Sequence, residues 1–469
     1  MKSRILESQG TFRPMMRLAL PVLVEYLLHV LVNYVDLWLA GNYLTDPSGQ
    51  EAYVAAITQV GYVMWFTFNL FAVVAIGATA LVARFVGANE WEQARRCAGQ
   101  ALLLGVALAV LVVCAGATGI DALVRQLQLH GGAAEFASEY LWIILYVIPA
   151  IMLNEVAIAA LRGAGDMVSG LIVMSIVNGV NLLISASLLL GLGPFPELGW
   201  RGLAIGSAIG HAVGAAILLV MLLRGRAGIK LSLSRLTPDM QLMRRLLRVG
   251  IPGGADALAV VLCHFWYVSI INQLGTLQTA AHGIGVRVEA LAYMPATAFQ
   301  AAAATLCGQF LGAGDIARAR RSALVAVLAA EVLLSAVGAV FFFGSRPLTT
   351  FFLGGGDSAV VPITTYLLQI VALTMPPFAL TAVLSGALRG AGDTRWPLAI
   401  TLVGFLVVRI PLAYLFAREG TWHATETIVI QGFGWGVAGA WYAMVADVVV
   451  RAALISWRFM HGGWSRVVV

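Results

Sequence analysis

The chain has 469 residues, 60% of them hydrophobic and only 11% charged, with a net charge of +6 and a mean hydropathy of +0.88. Soluble globular domains carry about 25% charged residues, so the composition excludes that class and indicates a polytopic helical membrane protein. The basic balance could suggest a nucleic-acid binder, but where the charges fall argues against it.

Taken in chain order, about twelve apolar spans are expected. They lie near 15–41, 52–85, 97–121, 137–162, 168–192, 200–224, 246–273, 279–310, 321–344, 360–388, 396–417 and 433–458. The first is too long for a signal-peptide core and lacks a clear cleavage site, so it reads as a transmembrane helix. It contains "EYLLHVLVNYVD", residues 25–36. At ~100° per residue, His29, Asn33 and Asp36 fall about 40°, 80° and 20° round the helix from Glu25. A membrane helix therefore carries a polar stripe on one face. The four cysteines, Cys97, Cys114, Cys263 and Cys307, lie in or beside apolar segments, which suggests small buried residues and not a disulfide framework or a metal site.

The fourth span ends in "ALRGAGDMVSG", residues 160–170. Its "GAGD" lacks the strand and spacing of a nucleotide loop and reads as a helix-ending turn. Gly163 stops one helix and Asp166 caps the next, while Arg162 could anchor an inner gate. After the sixth span, the polar stretch 224–245 reads as a linker, part of it a candidate amphipathic surface helix.

The second half repeats the first. "ALPVLVEYL" answers "GIPGGADAL", so Pro21 matches Pro252 at an offset of 231. "RFVGANEWEQARR" answers "QFLGAGDIARARR" at 225, and "ALRGAGDMVSG" answers "ALRGAGDTRWP" at 227, which pairs Arg162 with Arg389 and Asp166 with Asp393. Each half holds six spans, an even number. The halves should therefore share one orientation, with 1–235 as the first lobe and 236–469 as the second. With the N-terminus inside, 23 of the 29 lysines and arginines fall on the inner side or its boundary, Arg409 being among those placed toward the outer side. The expected topology is multi-pass in a bacterial inner membrane with both termini cytoplasmic.

Lys2 and Lys230 are the only lysines, and neither follows a P-loop pattern. There is no HExxH and no GxSxG, so no enzymatic machinery is expected. The ordered set "LALP…VDLWLAG", "ALVARFVGAN", "LRGAGD", "GIP", "EALAYMPATAFQAAAATLCGQFLGAGD" and a second "LRGAGD" resembles the multidrug and toxic compound extrusion (MATE) transporters over essentially the whole chain. The resemblance implies an all-α fold of twelve helices in two six-helix lobes, related by a pseudo-two-fold axis along the membrane normal. It implies a secondary active antiporter that expels amphipathic, often cationic compounds in exchange for H⁺ or Na⁺. Asp36 in "VDLWLAG" matches the family's coupling carboxylate, with Asn178, Asn181 and Ser207 as its polar partners; Na⁺ at Asp36 is the alternative to a proton. The partners implied are small organic substrates and membrane lipid, without nucleic acid or any cofactor beyond the coupling ion, and the protein is expected to act as a monomer. The rival within the wider superfamily is a lipid-linked oligosaccharide flippase, which would need a strongly cationic cavity. Some members carry a fifth-helix aspartate or a seventh-helix glutamate paired with a tenth-helix aspartate. Here residues 176–190 and 360–388 contain no carboxylate.

Seven carboxylates fall well inside the spans, away from their ends: Glu25, Asp36, Glu155, Asp256, Glu289, Glu331 and Asp447. Each costs roughly 2.5–3.5 kcal/mol at mid-bilayer, so each should face protein or water. Glu25 lies four residues after Pro21, and Asp256 four after Pro252, so both halves set an acid one turn beyond a helix-hinging proline. Two readings stay open. The acids line an anionic cavity together with Asn33, Tyr267 and Glu289, or each pairs with an Arg or Tyr of its own lobe. Asp447 and Arg451 stand at i,i+4 and should pair. Asp36 has no acidic twin, because its repeat position is Tyr267.

Overall fold

The computed structural model describes residues 10–43, 47–232, 236–353, 358–423 and 429–467. The apolar runs fold as helices, which pair their backbone groups internally as a bilayer demands. The first half supplies α1 (Phe12–Tyr43), α2 (Pro47–Gly87), α3 (Trp91–Gln126), α4 (Gly132–Gly163), α5 (Val168–Leu190) and α6 (Trp200–Leu223). The second supplies α7 (Met240–Asn272), α8 (Thr276–Gly312), α9 (Ile316–Phe343), α10 (Ser345–Phe352), α11 (Val360–Ala372), α12 (Met375–Gly390), α13 (Arg395–Leu402), α14 (Ile410–Ala417) and α15 (Gly436–His461).

Among the described residues, nine helical stretches are long and apolar enough to cross a membrane, one of them running from α13 through α14, and the pair α11–α12 forms a tenth. Helices α1 and α8, of 32 and 37 residues, are also long enough, and together these segments make up the twelve spans. In α8, polar residues such as Arg287, Glu289 and Gln300 dilute the apolar signal. The single span expected over 360–388 is in fact broken: α11 and α12 meet at 53°. Pro376 and Pro377 open α12 and contribute no N–H to a continuous ladder, which accounts for the break. Among the described residues of the linker no amphipathic helix forms before α7: a turn at Arg226–Gly228 leads into extended backbone at Ile229, and α7 starts at Met240. The loop before α15 folds as an antiparallel hairpin, Glu419–His423 with Val429–Phe433, which the sequence reading did not anticipate.

The chain divides into two compact units. The first is Leu20–Gly254; the second is Ala255–Val469 together with residues 10–19 of the described chain. The divisions fall inside α1 and α7, next to Pro21 and Pro252. In the first unit α2 packs on α4, α4 on α6 and α5 on α6; in the second α8 packs on α12, α12 on α15 and α14 on α15. The duplication in sequence is thus a duplication in packing. A cluster of Leu39, Tyr53, Leu189 and Leu203 fills one end of the first unit. In the second, Phe459 stacks on Trp464 at 5.0 Å and Trp441 is fully buried.

One close approach is repeated to the residue. A Cβ on Gly163 would meet the carbonyl oxygen of Thr79 at 2.8 Å, and one on Gly390 would collide with the carbonyl of Ala304. Thr79 and Ala304 stand 225 apart, the same offset that relates Gly87 to Gly312. Only glycine lets α4 lie against α2, and α12 against α8, at this depth. The chain then turns through Gly165 and Gly392, at φ of 90° and 85°.

Candidate functional site

The two "LRGAGD" turns organise each unit's polar contacts. Arg162, in the last turn of α4, donates from Nη2 to Glu25 Oε1 at 2.7 Å, with side chains 18% and 7% exposed. Its guanidinium also lies 5.7 Å from the Tyr26 ring centroid. In the second unit Arg389 makes the same contact with Asp256, whose side chain is 3% exposed. Arginine suits both places, because its charge persists in any surroundings and its fork binds carboxylate directionally. Each carboxylate keeps one buried oxygen without a partner among the described residues, Glu25 Oε2 and Asp256 Oδ1.

The aspartate closing each motif makes a second tie. Asp166 accepts from Ser169 N at 3.0 Å, as a cap of α5, and from Arg226 Nε at 2.9 Å. Asp393 accepts from Arg458 at 2.7 and 2.9 Å. Arg226 follows α6 and Arg458 lies in the last turn of α15, so in each unit the motif is bound to the proline helix at one end and to the final helix at the other. The motif's arginine and aspartate are therefore structural fasteners as well as turn formers.

Of the residues expected at a coupling site, Asn181 and Ser207 meet between α5 and α6, and Asn178 precedes Asn181 by one turn of α5. Glycines 202, 206, 210 and 214 recur every four residues along α6, and several of them touch α5 backbone. That closeness brings Asn181, 3% exposed, onto Ser207: Asn181 Nδ2 donates to Ser207 Oγ at 2.9 Å. Asn181 Oδ1 and Asn178 Nδ2 are buried without partners among the described residues. A free acceptor and a free donor one helical turn apart are groups that can hold or orient a guest. The side chains of Asp36, Asn33 and His29 lie outside the described residues.

The second unit carries a different constellation. Between α13 and α14 the helix widens into a π segment, Val403–Arg409. Such one-turn insertions occur often at functional sites. It carries Arg409, 5% exposed, to Asp447 on α15, with Nη2 to Oδ2 at 2.6 Å. Arg451 reaches Asp447 Oδ1 from one turn on at 2.8 Å, as the i,i+4 spacing predicts. A Cβ on Gly404 would collide with Asp447 Oδ1 and Arg451, so this triad requires glycine there. Arg409 also sits 4.4 Å from the Phe405 ring and 5.5 Å from that of Tyr267. Tyr267 is buried with its hydroxyl unpartnered among the described residues, and its ring meets His282, which accepts from Trp441 Nε1 at 3.1 Å. Glu289, 8% exposed on α8, lies within the electrostatic reach of Arg409, and Arg287 points the opposite way into exposure. All four cysteines are free thiols, three of them buried and Cys114 exposed.

The repeated turns and paired helices agree with a comparison against known families. A family model described as MatE matches residues 21–186 and, separately, residues 253–415. The chain belongs to the MatE family. Its two matches correspond to the two halves of the duplication. A probable multidrug resistance protein NorM of Thermotoga maritima is 27% identical over 460 residues, covering 97% of this chain and 93% of that relative. Two solved structures share the fold. One is a MOP superfamily transporter from Pyrococcus furiosus, described as having a binding pocket of reverse polarity, with a TM-score of 0.88 at 21% identity over 100% of this chain and 99% of its own. The other is an outward-facing MATE family transporter, with a TM-score of 0.87 at 22% identity over 99% of each chain. This MATE-family chain is thus a multi-pass membrane protein of the twelve-helix, two-lobe fold.

Proposed function

We propose that this MATE-family protein is a secondary active multidrug efflux antiporter, moving amphipathic, often cationic compounds outward by alternating access. The observation that carries the reading is the double family match, one per half, on a chain whose relatives include proteins named for multidrug resistance. Coupling is assigned to the first half. Asp36 is the carboxylate, and Asn178, Asn181 and Ser207 on α5 and α6 are its polar partners. A proton is preferred to Na⁺ because no acid lies in 176–190 to join Asp36, and a single carboxylate suffices to carry a proton. The second half repeats Asp36 as Tyr267, which cannot be a carboxylate switch, and that asymmetry supports placing coupling in the first half alone.

In this reading the protonation of Asp36 changes which of two conformations is favoured, and substrate affinity differs between the two. Pro21 and Pro252 serve as hinges, with Asn33, Tyr267 and Glu289 toward the substrate. Glu25 and Asp256 act from their arginine pairs, one turn beyond each hinge. The protein works as a monomer in a bacterial inner membrane with both termini cytoplasmic.

The test is efflux of a cationic dye from proteoliposomes under an imposed pH gradient or, separately, a Na⁺ gradient, with Asp36→Asn alongside. The pH gradient should drive efflux and the variant should lose it. Efflux under neither gradient ends the antiporter reading. Efflux under Na⁺ alone replaces the proton, and an active Asp36→Asn removes that residue from coupling.

A further inference from the structure

The linker between the halves is pinned to α3 at two points. Arg95 Nε donates to the carbonyl of Gly228 at 2.9 Å. Further along, Gln100 Nε2 donates to the carbonyl of Thr237, and Gln100 Oε1 accepts from Asp239 N, both at 2.9 Å. A cavity of about 320 Å³ opens beside these pins, lined by α3 and by residues 230–232 and 236 of the linker. Its floor is Gly99, Leu231 and Leu236, and a Cβ on Gly99 would touch Leu236 at 3.1 Å. Its rim is Arg95, Arg96, Lys230 and Glu92.

The rim carries three cations against one carboxylate. Glu92 is shared between Arg95 at 3.7 Å and Arg96 at 3.9 Å, both half-exposed contacts of the weak kind. Lys230, one of only two lysines in the chain, is exposed and has no partner among the described residues. Nothing in the fold requires an ammonium there. The cavity is therefore built around uncompensated positive charge above a leucine floor.

We infer that this cavity binds the phosphate headgroup of an anionic phospholipid. The position decides between a lipid phosphate and a free one. Arg95 and Arg96 stand in the second turn of a helix that continues as an apolar span to Gln126, so the rim lies at the depth of lipid headgroups. The excess of basic residues at this end of the spans matches the anionic leaflet. A soluble anion would make no use of Leu231 and Leu236, whereas the glycerol and first methylenes of a lipid would cover them. The phosphate oxygens would accept from Arg96 and Lys230, and Arg95 would hold the linker while adding charge. Bound there, the lipid joins α3 to the linker through a third point between the two existing pins.

The test is native mass spectrometry of the full chain in detergent, titrated with phosphatidylglycerol and, separately, phosphatidylcholine. The wild type should retain phosphatidylglycerol preferentially. Arg96→Gln with Lys230→Gln removes two exposed side chains whose one ionic contact among the described residues is the long Arg96–Glu92 pair, and should weaken that binding about 30-fold, near 1 kcal/mol per basic residue. Gly99→Leu keeps every charge but fills the floor, and should also lose the retained lipid. Equal retention of phosphatidylcholine, or a charge variant within twofold of wild type, overturns the inference. Displacement of the lipid by equimolar inorganic phosphate overturns it too, because it assigns the cavity to the free anion. None of these readings depends on transport.

Discussion

Arg162 Nη2 lies 2.7 Å from Glu25 Oε1, and Arg389 holds Asp256 in the same way, so one ion pair is built twice from matched positions. Both acids are buried, and a buried pair is more costly to break than to lack. Arg162→Ala should therefore destabilise by about 3 kcal/mol, leaving Glu25 without its countercharge. Arg162→Gln combined with Glu25→Gln should recover most of that loss. Thermal unfolding of the purified proteins in detergent measures both. A double variant no better than the single one would show that the contact carries little of the unit's stability.

The close approach at Gly163 and Gly390 gives a graded expectation. An added methyl at Gly163 meets Thr79 O at 2.8 Å, while at Gly390 it collides with Ala304 O. Overpacking of this kind costs about 1–3 kcal/mol. Gly390→Ala should be the more damaging substitution, and Gly163→Ala the milder. Both are read from melting temperature and from the yield of folded protein in the membrane. The reverse order would mean that α8 and α12 separate more readily than α2 and α4.

Much of this was legible in the sequence, and the exceptions share a cause. The spans, the duplication and the Asp447–Arg451 pair follow from hydropathy and spacing, which are local. Glu25 and Asp256 were matched correctly across the halves, but their partners lie 137 and 133 residues away. Local periodicity does not reach that far. A signal existed nonetheless, since acid and arginine both repeat and so can pair within each half. Arg409 meets Asp447 across 38 residues, and the π segment that carries it there leaves no pattern in "VGFLVVR". Pro376 and Pro377 were a visible cue to the break in 360–388, outweighed by the length of the apolar run. The side chains of His29, Asn33 and Asp36, which share the polar face of the first helix in the sequence, lie outside the described residues.

The triad of the second unit should respond to charge removal asymmetrically. Asp447 is fully buried and neutralises two arginines, Arg409 and Arg451, whose side chains are 6% and 12% exposed. Asp447→Asn leaves two buried cations facing one another, and should cost 3 kcal/mol or more. Arg451→Met leaves one arginine on one carboxylate and should cost distinctly less. Comparing their unfolding temperatures checks the order. Equal losses would indicate that packing of α14 on α15, and not charge balance, sets the stability of this region.

The amide pair on α5 separates structural from coupling roles. Asn181 donates one neutral hydrogen bond to Ser207, and such a bond contributes about 0.5–1.5 kcal/mol. Its Oδ1 makes none among the described residues, so the fold draws little on that atom. Asn181→Ala should therefore lower stability only modestly while reducing gradient-driven efflux at least about tenfold, the equivalent of one good hydrogen bond lost from a bound state. Ser207→Ala removes the acceptor that orients the amide and should give a smaller loss in the same direction. Proteoliposome efflux and detergent melting curves, taken on the same preparations, distinguish the two effects. If Asn181→Ala melted early yet transported at the wild-type rate per folded molecule, the pair would be a helix fastener and the coupling site would have to be sought elsewhere on α1.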